Sequence, residues 1–178
     1  MPLPPALDAV WRQMEAVRAD VLREAERLSQ AQSEWRPSDA DWSVGEILHH
    51  LTLAEVATGK LTSKLLKDAG PGLPPFPADL AAFTPLPEWQ GPREAPPVVR
   101  PEKGHAIDQL RADMKAARER TGQTLERLAA VDPRRLTWRH FALGELDLGQ
   151  WWMLQARHDS DHLQQLRRVK AAPGFPGS

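Results

Sequence analysis

Hydrophobic residues recur at three- and four-residue steps in four segments of the chain, a spacing that places their side chains on one face of an α-helix. The first predicted helix runs from about Pro5 to Gln30, and the second runs from Ser43 to just before Gly70. The third covers about Lys103 to Ala130, and the fourth begins near Asp147 and continues through Val169. No segment shows a convincing strand pattern. The pattern therefore predicts an all-α protein.

Polar residues at two helix starts have the chemistry of N-terminal caps. Ser43, followed three residues later by Glu46, predicts a capping box at the start of the second helix. Asp147, with Gln150 at the third position, predicts a similar start for the fourth. Pro133 ends the third helix, because proline has no backbone N–H to continue the hydrogen-bond ladder.

Residues 71–101 separate the two halves of the chain and hold ten of its seventeen prolines. So many prolines exclude a helix, and the stretch has little alternating strand pattern. We interpret it as a crossover between the second and third helices, since neither half has enough helices to close a core. The prediction is a four-helix bundle with one long proline-rich connection, formed as a single domain over residues 1–178.

Composition narrows the range of functions. The 178 residues carry a net charge of −1 and include no cysteine, which excludes disulfides, thiolate zinc sites and cysteine nucleophiles. No signal peptide or membrane-length apolar stretch is present, so a cytoplasmic protein is expected. The cations Arg167, Arg168 and Lys170 suit the last turns of the fourth helix, and the chain lacks the basic patch of a nucleic-acid-binding protein.

Histidines supply the candidate chemistry. His158 and His162 lie four residues apart, on the helix face where apolar residues are expected. Burying two unpaired imidazoles is unfavourable, and a metal ion relieves that cost by binding one nitrogen of each ring. Periodicity turns His50 of the second helix inward and leaves its neighbour His49 at a flank. Three imidazoles suit Zn²⁺, Ni²⁺ or Fe²⁺; the alternative is histidines at a helix edge or hydrogen-bonded in the core, without a metal.

Three acidic residues near the histidines have two interpretations each. Asp159 and Asp161 flank the histidine face, and either is able to accept an imidazole N–H or simply face solvent. Glu46 is a candidate base near a metal, but its position in the capping box already explains it, and we favour the cap. Of the three acidic residues, Glu46 and Asp161 are the candidate catalytic residues.

Two sequence motifs resemble those of a known family. The segment from Trp42 to Leu51 resembles the W-S-x-x-E-x-x-x-H-L signature of the DinB-like (DNA-damage-inducible) superfamily. The segment from His140 to Leu146, followed by His158-Asp159-x-x-His162-x-x-Gln165, resembles its C-terminal signature. The order and separation of the motifs agree, so the resemblance covers nearly the whole chain.

The resemblance implies a fold, a metal site and an assembly. The family fold is a four-helix bundle with a long crossover, and many members are homodimers. The metal ligands carried over from its motifs are His50, His158 and His162, the same three that periodicity selects. The doubled histidine departs from the family pattern and leaves His49 as a possible substitute ligand.

The resemblance also implies a class of reaction. Similar family members include thiol-dependent transferases, such as bacillithiol S-transferases, and metal-dependent hydrolases. We expect a divalent-metal enzyme that activates a low-molecular-weight thiol, such as bacillithiol, for attack on a small electrophilic substrate in detoxification. One alternative is a hydrolase that activates water with Glu46 or Asp161 as base. The other is a non-catalytic bundle that acts by dimerisation or partner binding and whose histidines hold no metal, or a structural metal for which His49 is available as fourth ligand.

Overall fold

The computed structural model describes residues 2–90 and 94–177, and long helices dominate them. The helices are α1 (Pro5–Ala25), α2 (Gln30–Glu34), α3 (Val44–Ala69), α4 (Ile107–Leu128) and α5 (Leu148–Ala171). α3 packs against α4 and α5, and α1 packs against α5. The four long helices confirm the predicted all-α bundle. None of the helices in the described residues is long and apolar enough to cross a membrane.

Capping boxes fix where α2, α3 and α5 begin. Ser43 accepts the Glu46 N–H at the start of α3, and Glu46 accepts the Ser43 N–H in return. Asp147 and Gln150 make the same exchange at α5, so both predicted starts are confirmed. The predicted end of the first helix at Gln30 is wrong. α1 ends at Ala25, because a third capping box at Ser29 begins the short α2.

A β-hairpin corrects the prediction that the chain has no strand. β1 (Thr137–His140) pairs antiparallel with β2 (Gly144–Asp147), which leads directly into α5. Each strand has four residues, too few to show a clear alternation of apolar and polar positions. Gly144 adopts a φ of 76°, a conformation that glycine takes without steric cost, where the turn meets β2.

Residues 71–101 connect α3 to α4, as predicted for the crossover, and the crossover lies against the bundle. Phe83 is buried against Gly149 of α5, where a Cβ would lie 2.3 Å from the phenyl ring. Glycine at this position therefore lets the crossover approach the start of α5. Further along, Pro97–Val99 forms a short 3₁₀ turn that contacts α3. Residues 91–93 of the crossover lie outside the described residues, and the single-domain organisation stays a prediction.

Four buried charged residues form a layer across the middle of the bundle, one from each long helix. We call Arg18, Glu55, Arg118 and Asp159 the charged layer. Arg18 Nη2 lies 2.8 Å from Glu55 Oε2 and 2.7 Å from Asp159 Oδ2. Arg118 Nε donates to Glu55 Oε1 over 2.8 Å, and its Nη2 lies 3.3 Å from Asp159 Oδ2. Two cations and two carboxylates thus pair within the core, and the half-exposed Glu15 also accepts from Arg118 Nη1 over 3.0 Å.

The charged layer divides the core into two apolar clusters. On α1, Arg18 lies between Met14 of one cluster and Val21 of the other. On α5, Asp159 lies in the same way between Ala156 and Leu163. Sliding either helix by one turn would bring apolar side chains against the buried charges, so the layer favours one register.

Removing one charge from this layer tests its role. Burial alone would raise the pKa of the Glu55 carboxyl, but the charges of Arg18 and Arg118 outweigh burial and lower it. Glu55→Gln keeps the shape and leaves the two guanidinium groups with too little opposing charge. We expect a loss of about 3–5 kcal/mol in the free energy of unfolding, measured with urea.

The matched control is Glu126→Gln, the same substitution at an exposed position of α4. It should change the free energy of unfolding by no more than about 0.5 kcal/mol. A Glu55→Gln variant as stable as this control would show that the charged layer does not hold the helices in register.

Candidate metal centre

Three histidines from two helices converge at one point beside the charged layer. His50 projects from α3, while His158 and His162 project from successive turns of α5. One ring nitrogen from each lies within 4.8 Å of the other two. His50 Nε2 and His158 Nε2 are 2.9 Å apart, and each pair of ring centroids is separated by 4.5–4.8 Å. The predicted trio, which we call the histidine triad, is therefore brought together by the packing of α3 on α5.

Hydrogen bonds on the outer side of two rings determine which nitrogen faces the triad. His50 Nδ1 lies 2.6 Å from the carbonyl oxygen of Val99, in the crossover. His162 Nδ1 lies 2.7 Å from Oε1 of Gln165. Because both oxygens only accept, each Nδ1 carries the proton and each Nε2 keeps its lone pair. This is the arrangement in which an outer acceptor orients a metal-binding imidazole.

The donor set fits a divalent transition metal. The Nε2 lone pairs of His50 and His162 both need a partner, and a proton on His158 Nε2 can satisfy only one of them. One cation is able to take the Nε2 atoms of all three rings. His158 Nδ1, on the other side of its ring, is buried with no hydrogen-bond partner among the described residues. Three imidazoles suit Zn²⁺, Ni²⁺ or Fe²⁺, as the sequence predicts.

Burial keeps the triad in the form that binds metals. It lowers the pKa of His50 to about 4, with the nearby His162 as the next cause. Burial is also the largest cause of the lowered pKa values of His158 and His162. Without a metal, all three rings are therefore neutral at pH 7, and no proton has to be displaced from them before a cation binds.

Trp42 forms one side of the triad. It immediately precedes Ser43, the N-cap of α3, and packs against the apolar cluster at that end of the bundle. Its ring stacks on His162 with centroids 5.9 Å apart and an interplanar angle of 15°. It also lies 4.8 Å from the ring of His50. The tryptophan thus fixes two of the three imidazoles by contact.

The triad lies in the wall of a cavity of about 660 Å³. Such a volume is typical of small-molecule sites, which lie between about 300 and 1,000 Å³. Besides the histidines, aromatic rings from α5, the crossover, the hairpin and the residue before the N-cap of α3 line it. They are Trp42, Trp89, Trp138, Phe141 and Trp151. A molecule in this cavity would have access to the triad.

His49 and Glu46 lie away from the triad. His49 Nδ1 accepts the N–H of Glu102, and its ring packs on His105 with centroids 4.3 Å apart. These contacts are consistent with the predicted position of His49 at the flank of its helix. Glu46 is buried in the capping box, where its carboxylate also accepts Arg36 Nε over 2.8 Å. It does not line the cavity, and its role as a base stays a prediction that this position does not support.

The two aspartates beside His158 and His162 have different surroundings. Asp161 is exposed and lines the cavity with the triad, as does Glu94 of the crossover, so it remains a carboxylate within reach of a bound molecule. Asp159 is fully buried in the charged layer. Its carboxylate is bound by Arg18, Arg118 and Gln155, and no imidazole of the described residues is among its partners.

Two elements of the site escape sequence reasoning. Val99 acts through a backbone carbonyl, for which the sequence carries no signal. His140 begins the C-terminal motif, but its buried position in β1 at the same cavity could not be predicted, because the hairpin that positions it shows no strand pattern. Gln165 did have a signal, since it follows His162 by three residues and so shares its helix face.

Comparisons with known proteins agree with this fold. A family model described as the DinB superfamily matches residues 13–166. The uncharacterized protein YuaE of Bacillus subtilis (strain 168) is 24% identical over 155 residues, which cover 86% of this chain and 92% of YuaE. The crystal structure of TT2238, a four-helix bundle protein, is similar with a TM-score of 0.62 at 18% identity, and the match covers 91% of this chain and 98% of TT2238.

The adjacent histidines provide a matched test of the triad. His50→Ala removes one of three nitrogens, and we expect zinc affinity to fall by at least about 100-fold, because two imidazoles alone hold the ion poorly. His49→Ala removes the neighbouring ring, which faces elsewhere, and should leave the affinity unchanged. Competition with a chromophoric chelator measures both. Equal losses in the two variants, or a larger loss with His49→Ala, would contradict the assignment.

Proposed function

The chain belongs to the DinB superfamily, and we propose that it is a metal-dependent S-transferase, which joins a low-molecular-weight thiol such as bacillithiol to an electrophilic small molecule. The observation that carries the proposal is the convergence of three imidazoles in the wall of a cavity. Three protein ligands leave a coordination position for a substrate, whereas closed structural zinc sites use four. The proposed setting is detoxification in the cytoplasm.

The proposed roles of the residues follow from their contacts. His50, His158 and His162 hold the cation, for which Zn²⁺, Ni²⁺ and Fe²⁺ are the candidates. The Val99 carbonyl and Gln165 Oε1 hold protons on Nδ1 of two of these rings, which keeps the Nε2 atoms available. When bound, a divalent cation lowers the pKa of a thiol or water at its open position.

The thiol has to come from outside the chain, because the chain has no cysteine. The cavity has room for a small thiol and its electrophilic partner at the triad. Asp161 is the carboxylate that we propose to accept the thiol proton, since it is exposed in the cavity wall beside His162.

Two alternative functions differ from the transferase in what occupies the remaining coordination position of the metal. A hydrolase would use the same triad with water in place of the thiol, and Asp161 would serve as its base. A non-catalytic bundle would need a fourth protein ligand to close the site. His49 is the conceivable fourth ligand, but its Nδ1 accepts the Glu102 N–H, which supports an open site. The homodimer stays a prediction from the family resemblance.

A conjugation assay tests the transferase proposal. Metal-loaded protein is incubated with a thiol (bacillithiol or glutathione) and 1-chloro-2,4-dinitrobenzene. A C–S bond forms, chloride leaves with the bonding electron pair, and the thiol proton passes to Asp161 or to buffer. We expect the wild-type protein to accelerate conjugation with at least one thiol. His158→Ala should reduce the rate to that without protein, because it removes a metal ligand.

His49→Ala is the control, and it should conjugate at the wild-type rate. Conjugation that is no faster with wild-type protein than with His158→Ala, for every thiol tried, would contradict the transferase. Turnover of an ester or amide without thiol would instead identify the hydrolase.

A further inference from the structure

Aromatic rings from three separate parts of the chain line the cavity together. We define the aromatic wall as Trp89 of the crossover, Trp138, His140 and Phe141 of the hairpin, and Trp151 of α5. The His140 ring lies 4.4 Å from Phe141, 5.2 Å from Trp151 and 5.5 Å from Trp89, centroid to centroid. Trp151 Nε1 donates to the Trp138 carbonyl over 3.2 Å, which ties the helix to the hairpin.

The wall presents ring surface that the core does not use. Trp138 is 44% exposed and Phe141 is 51% exposed, and neither residue belongs to the two apolar clusters of the core. Large exposed rings are uncommon in a soluble bundle unless they bind something. Both rings line the concave cavity that also contains the histidine triad, which is the setting of a small-molecule site.

His140 adds a hydrogen-bond donor of fixed identity to the wall. Its Nδ1 accepts the backbone N–H groups of Ala142 and Leu143 over 3.1 and 3.2 Å. Nδ1 therefore carries a lone pair, and the proton of the neutral ring lies on Nε2. Nε2 has no hydrogen-bond partner in the described part of the chain, and it is not among the buried unpartnered atoms. It is accordingly free to donate to a bound molecule.

We propose that the aromatic wall binds the electrophilic substrate, and that this substrate is a planar aromatic compound with a hydrogen-bond acceptor on its ring. The acceptor, such as a ketone oxygen, takes the His140 Nε2 proton, and the ring stacks on Trp138 and Phe141. His140 lines the same cavity as His158, so the wall and the triad share one site. This inference deepens the proposed function and rests on it.

Equilibrium dialysis of 1-acetylnaphthalene against the full chain tests the wall, with and without chelator and always without thiol. We expect saturable binding that chelator does not abolish. Trp138→Ala and Phe141→Ala should each weaken binding about tenfold, since each removes a stacking surface. 1-Ethylnaphthalene, which lacks the ketone oxygen, should bind about 2- to 10-fold more weakly.

Val98→Ala is the matched control, because Val98 also lines the cavity and is 72% exposed, but it has no ring. It should change affinity less than about twofold. The decahydro analogue of the ketone has the same carbon skeleton without planar rings, and it should bind far more weakly than 1-acetylnaphthalene. Unfolding midpoints of the variants confirm that each is folded.

Any of three binding results would overturn the inference: no saturable binding, equal binding of the decahydro analogue, or a loss with Val98→Ala as large as with Phe141→Ala. A fourth result concerns the oligomeric state. Dimers that dissociate in Trp138→Ala and Phe141→Ala, with probe binding unchanged, would overturn it by assigning the wall to a second copy. Conjugation of the non-aromatic electrophile iodoacetamide separates the two proposals. If wild-type protein accelerates this conjugation over the rate with His158→Ala while the naphthalene fails to bind, only this inference fails.

Discussion

The charged layer in the middle of the bundle is the constraint on which the rest of the structure depends. Arg18, Glu55, Arg118 and Asp159 are buried between two apolar clusters, and each comes from a different long helix. A buried charge without its partner costs far more than a lost apolar contact. Apolar packing alone tolerates small shifts along the helix axes, whereas the ion pairs favour one alignment of all four helices.

This alignment determines the geometry of the histidine triad. Asp159 follows His158 directly, so the ion pair of Asp159 with Arg18 fixes the rotation of α5 beside the site. Glu55 lies five residues after His50, and its ion pair with Arg118 fixes the rotation of α3 in the same way. The crossover then contributes the Val99 carbonyl that orients His50. The bundle therefore supports the three imidazoles, and the hairpin and crossover provide the aromatic surface around them.

The bundle and the triad could be predicted because both produce regular spacing. His50 and His162 stand at positions where a helical stripe is apolar, and Glu46 stands three residues after a serine cap. The hairpin of residues 137–147 could not be predicted, since four-residue strands carry no measurable period. The Val99 contact depends on a backbone atom and on the path of the crossover. The buried position of Arg18 could not be predicted, because a charged residue on a helical stripe is normally assigned to the edge of the helix.

The central claim is that His50, His158 and His162 together bind one divalent transition-metal ion. The most direct test is elemental analysis of the full chain, purified without chelator and dialysed after incubation with Zn²⁺, Ni²⁺ or Fe²⁺. The account predicts about one ion per chain in the wild-type protein and none in the His50→Ala, His158→Ala, His162→Ala triple variant. A wild-type protein that retains no metal, or a triple variant that retains as much as the wild type, would contradict it.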